Sequence, residues 1–274
     1  MAETIAICNQ KGGVGKTTTA VNLGVGLVKE GYKVLMIDAD PQGDLTTCLG
    51  WKNQDEMNNT LAELMQKNLD DEQVNLRDVI LTNGEGVDLI PSNIELSAME
   101  TQLVTVMSRE VCLRNLLEPV KEEYDYIVID CMPSLGMMTI NALTAADKVV
   151  IPVQAQYLAT KGMTQLIGTI SKVKRCINPK LEIDGILVTL ADARTRFTGE
   201  IDTVIRQNFG KYINVYKQNI PTGIAAAKSS SIGQSVYEFD RDSKVAIAYR
   251  NFVKEVLGSD RQPSLEKESP ARCM

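Results

Sequence analysis

The segment Lys11-Gly12-Gly13-Val14-Gly15-Lys16-Thr17-Thr18 gathers the residue types that hold a polyphosphate. Glycines at 12, 13 and 15 let successive backbone N–H groups turn inward around phosphate oxygens, and a helix starting at Lys16 points its positive dipole end at them. Lys16 then holds the β- and γ-phosphates as a point charge, and Thr17 gives its hydroxyl to Mg²⁺. The pattern departs from G-x-x-x-x-G-K-[ST] at its first position, which is Gln10, and adds a second lysine, Lys11, at the loop entrance. Two carboxylate sites fit the same chemistry, Asp38 with Asp40 at one strand end and Asp130 at another. Asp130 suits holding a Mg²⁺-bound water and Asp40 suits positioning an attacking water, so Thr17, Asp40 and Asp130 are the candidate metal ligands. The chain has no histidine. That removes the commonest general base and leaves hydrolysis to carboxylates, lysines, backbone amides and a hard cation.

Such residues act together only if the strands they end run side by side. Thr4–Cys8, Lys33–Asp38, Val87–Ile90, Tyr126–Asp130, Lys148–Val153 and Ile183–Leu190 read as strands, most of them near-continuous apolar runs of the kind buried in parallel sheets. Helical patterns fall between them at Lys16–Glu30 (with Gly31 as C-cap), Leu61–Lys67, Glu110–Glu123, Thr139–Ala146 and Thr160–Cys176. The alternation predicts an α/β fold, a doubly wound, mostly parallel twisted sheet with helices on both faces. Ligands bind such sheets at the carboxyl ends of the strands, where the loop and the aspartates lie. Further helices are expected at Gly199–Asn208 and Ser243–Leu257, separated by the polar stretch Gln218–Ser235. With no repeat or long linker, residues 1–258 read as a single domain and 259–274 as a polar, disordered tail.

The composition, 44% hydrophobic and 23% charged, is that of an ordinary globular protein. Apolar stretches fall far short of the roughly 20 residues of a membrane helix. The N-terminus runs from Met1 into a strand without a secretory signal, so the chain is expected in the cytoplasm. None of the six cysteines forms a CxxC pair, and the first five in sequence read as buried free thiols. A net charge of −6 argues, on average, against a nucleic-acid partner. Yet residues 1–160 hold 11 basic and 23 acidic side chains, whereas 161–254 hold 15 and 8. A surface that faces phosphate therefore belongs in the second half.

Together these residues resemble the ParA/Soj-type DNA-partition ATPases of the deviant Walker A (MinD/ParA) P-loop family. The matching segments are ICNQKGGVGKTTTAVNLG (7–24), VLMIDADPQGDLT (34–46), YDYIVIDCMPSLGMMTINAL (124–143), VVIPVQAQYLATKGM (149–163) and VTLADARTRF (188–197). The resemblance implies an ATPase that uses ATP and Mg²⁺. It makes Lys11 a signature lysine that reaches the partner subunit's phosphates across an ATP-dependent homodimer. It makes Asp40 the residue required for hydrolysis, and Asn219 and Pro221 part of the segment lining the adenine. It also implies nonspecific DNA of the nucleoid and a ParB-like centromere-binding protein as partners, with no membrane.

Two departures stand out. Met132 replaces the first proline of the family's CPPSLG, and Thr222-Gly223-Ile224-Ala225 stands where the family runs R-N-V-R with an arginine against DNA. Lys228, Arg241, Lys244 and Arg250, with Lys172, Lys174, Arg175, Arg194, Arg196 and Arg206 earlier, are the remaining basic candidates for phosphate contact. The alternative, a MinD-like positioning or regulatory switch acting on a protein partner, calls for an amphipathic basic C-terminal helix at a membrane. The tail SLEKESPARCM has neither the apolar stripe nor the charge.

Overall fold

Asp130 lies across from Ile7 on one side and Asp38 on the other, because one sheet places three distant segments in register. A computed structural model of the chain describes residues 1–258 apart from 71, 73, 156–158 and 193–195, with backbone alone for 159–161 and 196–198. The expected tail at 259–274 and Arg194 lie outside the described residues, as does the side chain of Arg196. The strands are β1 (Glu3–Ile7), β2 (Val34–Ala39), β3 (Leu81–Thr82), β4 (Asp88–Ile90), β5 (Tyr126–Cys131), β6 (Lys148–Gln154) and β7 (Glu182–Thr189). They form a seven-stranded sheet in the order β3-β4-β2-β5-β1-β6-β7. Every pairing is parallel except β3 with β4 at the edge. This is the doubly wound α/β architecture that the apolar runs require, since a parallel strand needs cover on both faces.

Alternate side chains of each strand feed two cores. Ile5, Ile7, Met36 and Val128 pack on one face with α1 (Lys16–Lys29) and α11 (Lys244–Val256). Ala6, Leu35, Ile37 and Ile129 pack on the other with α5 (Cys112–Leu117), α6 (Met137–Ala145) and α7 (Ala159–Cys176). Helices α1 and α11 approach closely at Gly26, where an added Cβ would come within 2.6 Å of Val253 Cγ2. A larger residue there would separate the two helices.

Other elements are α2 (Asp44–Cys48), α3 (Leu61–Leu69), α4 (Leu96–Leu103), α8 (Arg196–Phe209), α9 (Ile224–Ile232) and α10 (Val236–Phe239). Three expectations are corrected. The helix expected over Glu110–Glu123 holds α geometry only at Cys112–Leu117, flanked by 3₁₀ turns. Pro119, which lacks an N–H, ends it. The polar stretch Gln218–Ser235 contains α9, in which the hydroxyls of Ser229 and Ser230 donate to the Ala226 carbonyl and that of Ser231 to Lys228. Serines that bond within their own helix in this way look like loop in a sequence. Finally, Cys8, Cys112 and Cys131 are buried free thiols, but Cys48 is only half-buried and Cys176 is exposed at the end of α7. Among the described residues, no helix is long and apolar enough to cross a membrane.

Candidate active site

The chain between β1 and α1 forms an anchored open cradle. Asn9, nearly buried, donates through Nδ2 to the Pro152 carbonyl of β6 at 2.6 Å and accepts the Lys11 N–H at 2.9 Å. Gly13 and Gly15 have φ of 71° and 82°, the left-handed region that only glycine enters freely. No atom lies within 4 Å of a Cβ built on Gly12 or Gly13, so this wall of the loop is open. Val14 is buried, and its carbonyl accepts the Thr189 hydroxyl at 2.7 Å, which ties the loop to the end of β7. Helix α1 begins at Lys16 with no side-chain cap. Its first N–H groups lack intrahelical partners, so with the loop amides they form an anion seat. Thr17 and Thr18 stand in that first turn. Lys16 is 7% exposed, with its ammonium 3.4 Å from the Lys11 carbonyl.

The strand order brings the aspartates beside this loop. Asp38 is fully buried and accepts Thr46 N–H at 2.8 Å, Thr46 O–H at 2.7 Å and Asp40 N–H at 3.2 Å. Burial dominates over these donors and pushes its carboxyl up to about 7. Sequence reading placed Asp38 near the site but assigned it no role; its bonds make it the brace that sets the β2 end and its turn into α2. Asp40 accepts the Gln42 N–H at 3.0 Å. Asp130 is 1% exposed, and neither carboxyl oxygen has a hydrogen-bond partner in bonding geometry. Its carboxyl is held well above the ordinary carboxylate range, first by burial and then by Asp38, against the weaker pull of the Thr17 hydroxyl and the Lys16 ammonium.

An orphaned carboxylate beside a hydroxyl and a lysine fits a hard cation with oxygen ligands. Among the described residues no three His, Cys, Asp or Glu side chains form a ready cage for it. A cation here would complete its shell with Thr17, phosphate oxygens and water, as Mg²⁺ does in phosphate sites.

A cavity of about 470 Å³ continues the site along the end of β7, lined by Ala191, Asp192, Asn219, Pro221, Lys244 and Ala248 among others. Ala191 N–H donates to the Ile220 carbonyl at 3.0 Å and pairs with Pro221 as an isolated bridge. The Asn219 amide oxygen accepts from Arg206 Nη2 at 3.1 Å. Arg206, expected on a phosphate-facing surface, is instead committed inward: it also bonds the Tyr216 carbonyl at 2.9 Å and pairs with Asp202 at 2.9 Å. Lys172, Lys174 and Arg175 are exposed on α7, as are Lys228, Arg241, Lys244 and Arg250. Met132 is half-buried against the core in the loop after β5.

A glycine cradle between the central strand and a helix, a buried lysine at the helix start, and an aspartate ending the neighbouring strand define a P-loop nucleoside-triphosphatase. The comparisons with known proteins narrow the class. The AAA domain family model AAA_31 matches residues 2–183. The sporulation initiation inhibitor protein Soj of Bacillus subtilis is 44% identical over 94% of this chain and 100% of its own length. The chromosome partitioning protein ParA of Caulobacter vibrioides is 38% identical over 94% of each chain. A Mycobacterium smegmatis crystal structure described as cobyrinic acid a,c-diamide synthase, with bound ATP analogue and magnesium, superposes with a TM-score of 0.84. It is 33% identical and covers 97% of this chain and 100% of that one. The chain belongs to the ParA/Soj family of P-loop ATPases.

Proposed function

We propose that the chain is a Mg²⁺-dependent DNA-partition ATPase whose ATP-bound homodimer binds nonspecific DNA and is released when a ParB-like partner stimulates hydrolysis. The observation that carries the reading is the orphaned Asp130 carboxylate beside Lys16 and Thr17 at the mouth of the glycine cradle. The partition assignment rests on the Soj and ParA relatives, which match over nearly their whole length. The amide synthesis named for the Mycobacterium smegmatis structure has lower identity behind it.

In this reading the loop amides of residues 12–18 and the Lys16 ammonium hold the β- and γ-phosphates, and Asn219 and Pro221 line the adenine. Thr17, Asp40 and Asp130 form the metal side, with Asp130 orienting a metal-bound water. The metal, when bound, neutralises charge that develops on the phosphoryl oxygens. Asp40, at the rim of the loop, positions the attacking water. The second loop lysine, Lys11, is exposed at the entrance. A cation outside its own loop gains most where two subunits bury the same phosphates, which makes dimerisation and hydrolysis one event. Basal turnover is slow, and the protein works in the cytoplasm on the nucleoid.

The reading is tested by retention on a nonspecific duplex across a salt series. Binding that needs ATP and falls steeply with salt supports it, and equal retention with ADP overturns it. Asp40→Ala is expected to keep ATP affinity within a few-fold but to lengthen the life of the DNA complex about tenfold, since hydrolysis ends it. Competitor-chase dissociation measures this, and a lifetime equal to wild type removes Asp40 from the water-positioning role. Lys11→Ala is expected to bind a fluorescent ATP analogue as a monomer yet fail to dimerise. Sedimentation with a nonhydrolysable analogue decides, because a dimer of normal strength would rule out the trans contact.

A further inference from the structure

Helix α11 has two unlike faces. Tyr249, Phe252 and Val253 are buried against the sheet and α1. The exposed side carries Lys244, Arg250, Asn251 and Lys254 with no acid among them, because the one carboxylate of the helix, Glu255, is turned inward. A cleft lies on each side of this helix. One, of about 310 Å³, brings Lys29 and Arg241 beside Arg250, with Glu30, Glu238 and Tyr237 also in its wall. The other, of about 360 Å³, brings Lys217 beside Lys254, with Gln218 and Asn251.

The carboxylates near these clefts do not cancel them. Glu255 is occupied by the backbone N–H groups of Lys217 and Gln218, each at 2.8 Å. Asp242 meets Arg241 at 3.7 Å with both side chains more than 80% exposed, a pairing that salt and solvent make weak. The segment in which the resembled family carries its DNA arginine is Thr222–Ala225 here, with Ile224 74% exposed, and Arg206 is tied inward. The cations left on the exposed side of this third of the chain are thus gathered mainly around α11.

The same helix is fastened to both walls of the nucleotide site. The Tyr249 hydroxyl shares a 3.2 Å hydrogen bond with Thr19, the residue after the phosphate-contacting threonines. Glu255 and Asn251 hold Lys217 and Gln218, the two residues before Asn219. A shift in either wall on nucleotide binding is therefore delivered to α11 through short, buried links.

We propose that α11 is the DNA-docking element of this chain, seating backbone phosphates of a duplex in the basic clefts along its two sides. The inference rests on the DNA-partition reading and places its DNA contact. Phosphate contact from lysine and arginine without base-edge readout is sequence-independent, and a dimer presents the pair of clefts twice.

The test uses the full chain with ATP and a nonspecific duplex over a potassium chloride series. Arg250→Ala with Lys254→Ala is expected to weaken DNA binding at least tenfold and to flatten the log–log salt slope by about 4, close to one unit per cation removed from the dimer. ATP-dependent dimerisation and basal ATP turnover should stay at wild-type values, because neither residue touches the phosphate loop. Arg250→Gln with Lys254→Gln, which keeps the side-chain stems, should give the same slope change if the alanine pair melts early. Lys172→Ala with Lys174→Ala on α7 should leave affinity within about twofold. Wild-type protein that ignores DNA with ATP present overturns the partition reading itself. Wild type that binds while the α11 variants keep its affinity and slope, or while the α7 variant is the one that loses binding, overturns the docking surface alone.

Discussion

Lys16→Ala should lose ATP binding while keeping the fold. Lys16 is 7% exposed, and its ammonium lies beside the Lys11 carbonyl at the mouth of the loop. Removing one member of a buried charge pair costs about 2–5 kcal/mol, so ATP affinity should fall by roughly 30-fold to several thousand-fold. Alanine is the best helix former, so α1 should persist, and circular dichroism would check it. Calorimetric titration with ATP and magnesium reads the affinity. A variant that binds ATP with wild-type affinity would mean the glycine loop is not the phosphate seat.

The loss of Lys16 should also make Asp130 harder to ionise, because this ammonium is one of the groups that hold its carboxyl down. The second large effect follows from Asp130 itself. Asp130→Asn is expected to raise the melting temperature of the nucleotide-free protein by about 2–6 °C at pH 8, for a gain of about 1–2 kcal/mol. The carboxyl is fully buried, its two oxygens are unpartnered, and burial with Asp38 raises its pKa in the folded state.

A carboxyl with a folded pKa above the unfolded one favours the fold at low pH, and that stability is lost as pH rises from about 4 toward the folded value. The amide does not titrate, so the gap between variant and wild type should widen from pH 4 to pH 8. The extra stabilisation that magnesium adds to ATP should disappear in the same variant, because the metal-side carboxylate is gone. A melting temperature that does not rise would show that the charge is already compensated. Magnesium-dependent stabilisation that survives would remove Asp130 from the metal side.

Much of this site can be read in the chain alone because its signals are local. The run Lys11–Thr18 declares its chemistry by spacing, the apolar runs before Asp38 and Asp130 declare buried parallel strands, and the alternation with helical patterns fixes the fold class. Where the reading slipped, local rules conflicted. Pro119 broke a periodic helix, and the serines of α9 satisfied their hydroxyls inside a helix that looked like loop. Edge strand β3, only two residues long, carries too little pattern to be seen.

By itself, the sequence determined the phosphate loop, its lysines, the strand-ending aspartates and the doubly wound sheet, since each follows from backbone freedom, side-chain chemistry or a short period. Only the tertiary structure decided which of these meet. The pairing of β2 with β5 sets Asp38 opposite Asp130 across some 90 residues, leaving one carboxyl braced by Thr46 and the other unpartnered. It also turned Arg206 inward and Glu255 onto the loop before Asn219, and left the basic side chains around α11 facing outward. The partner a charged side chain takes depends on strand order and packing between distant segments, and neither leaves a periodic trace in the chain.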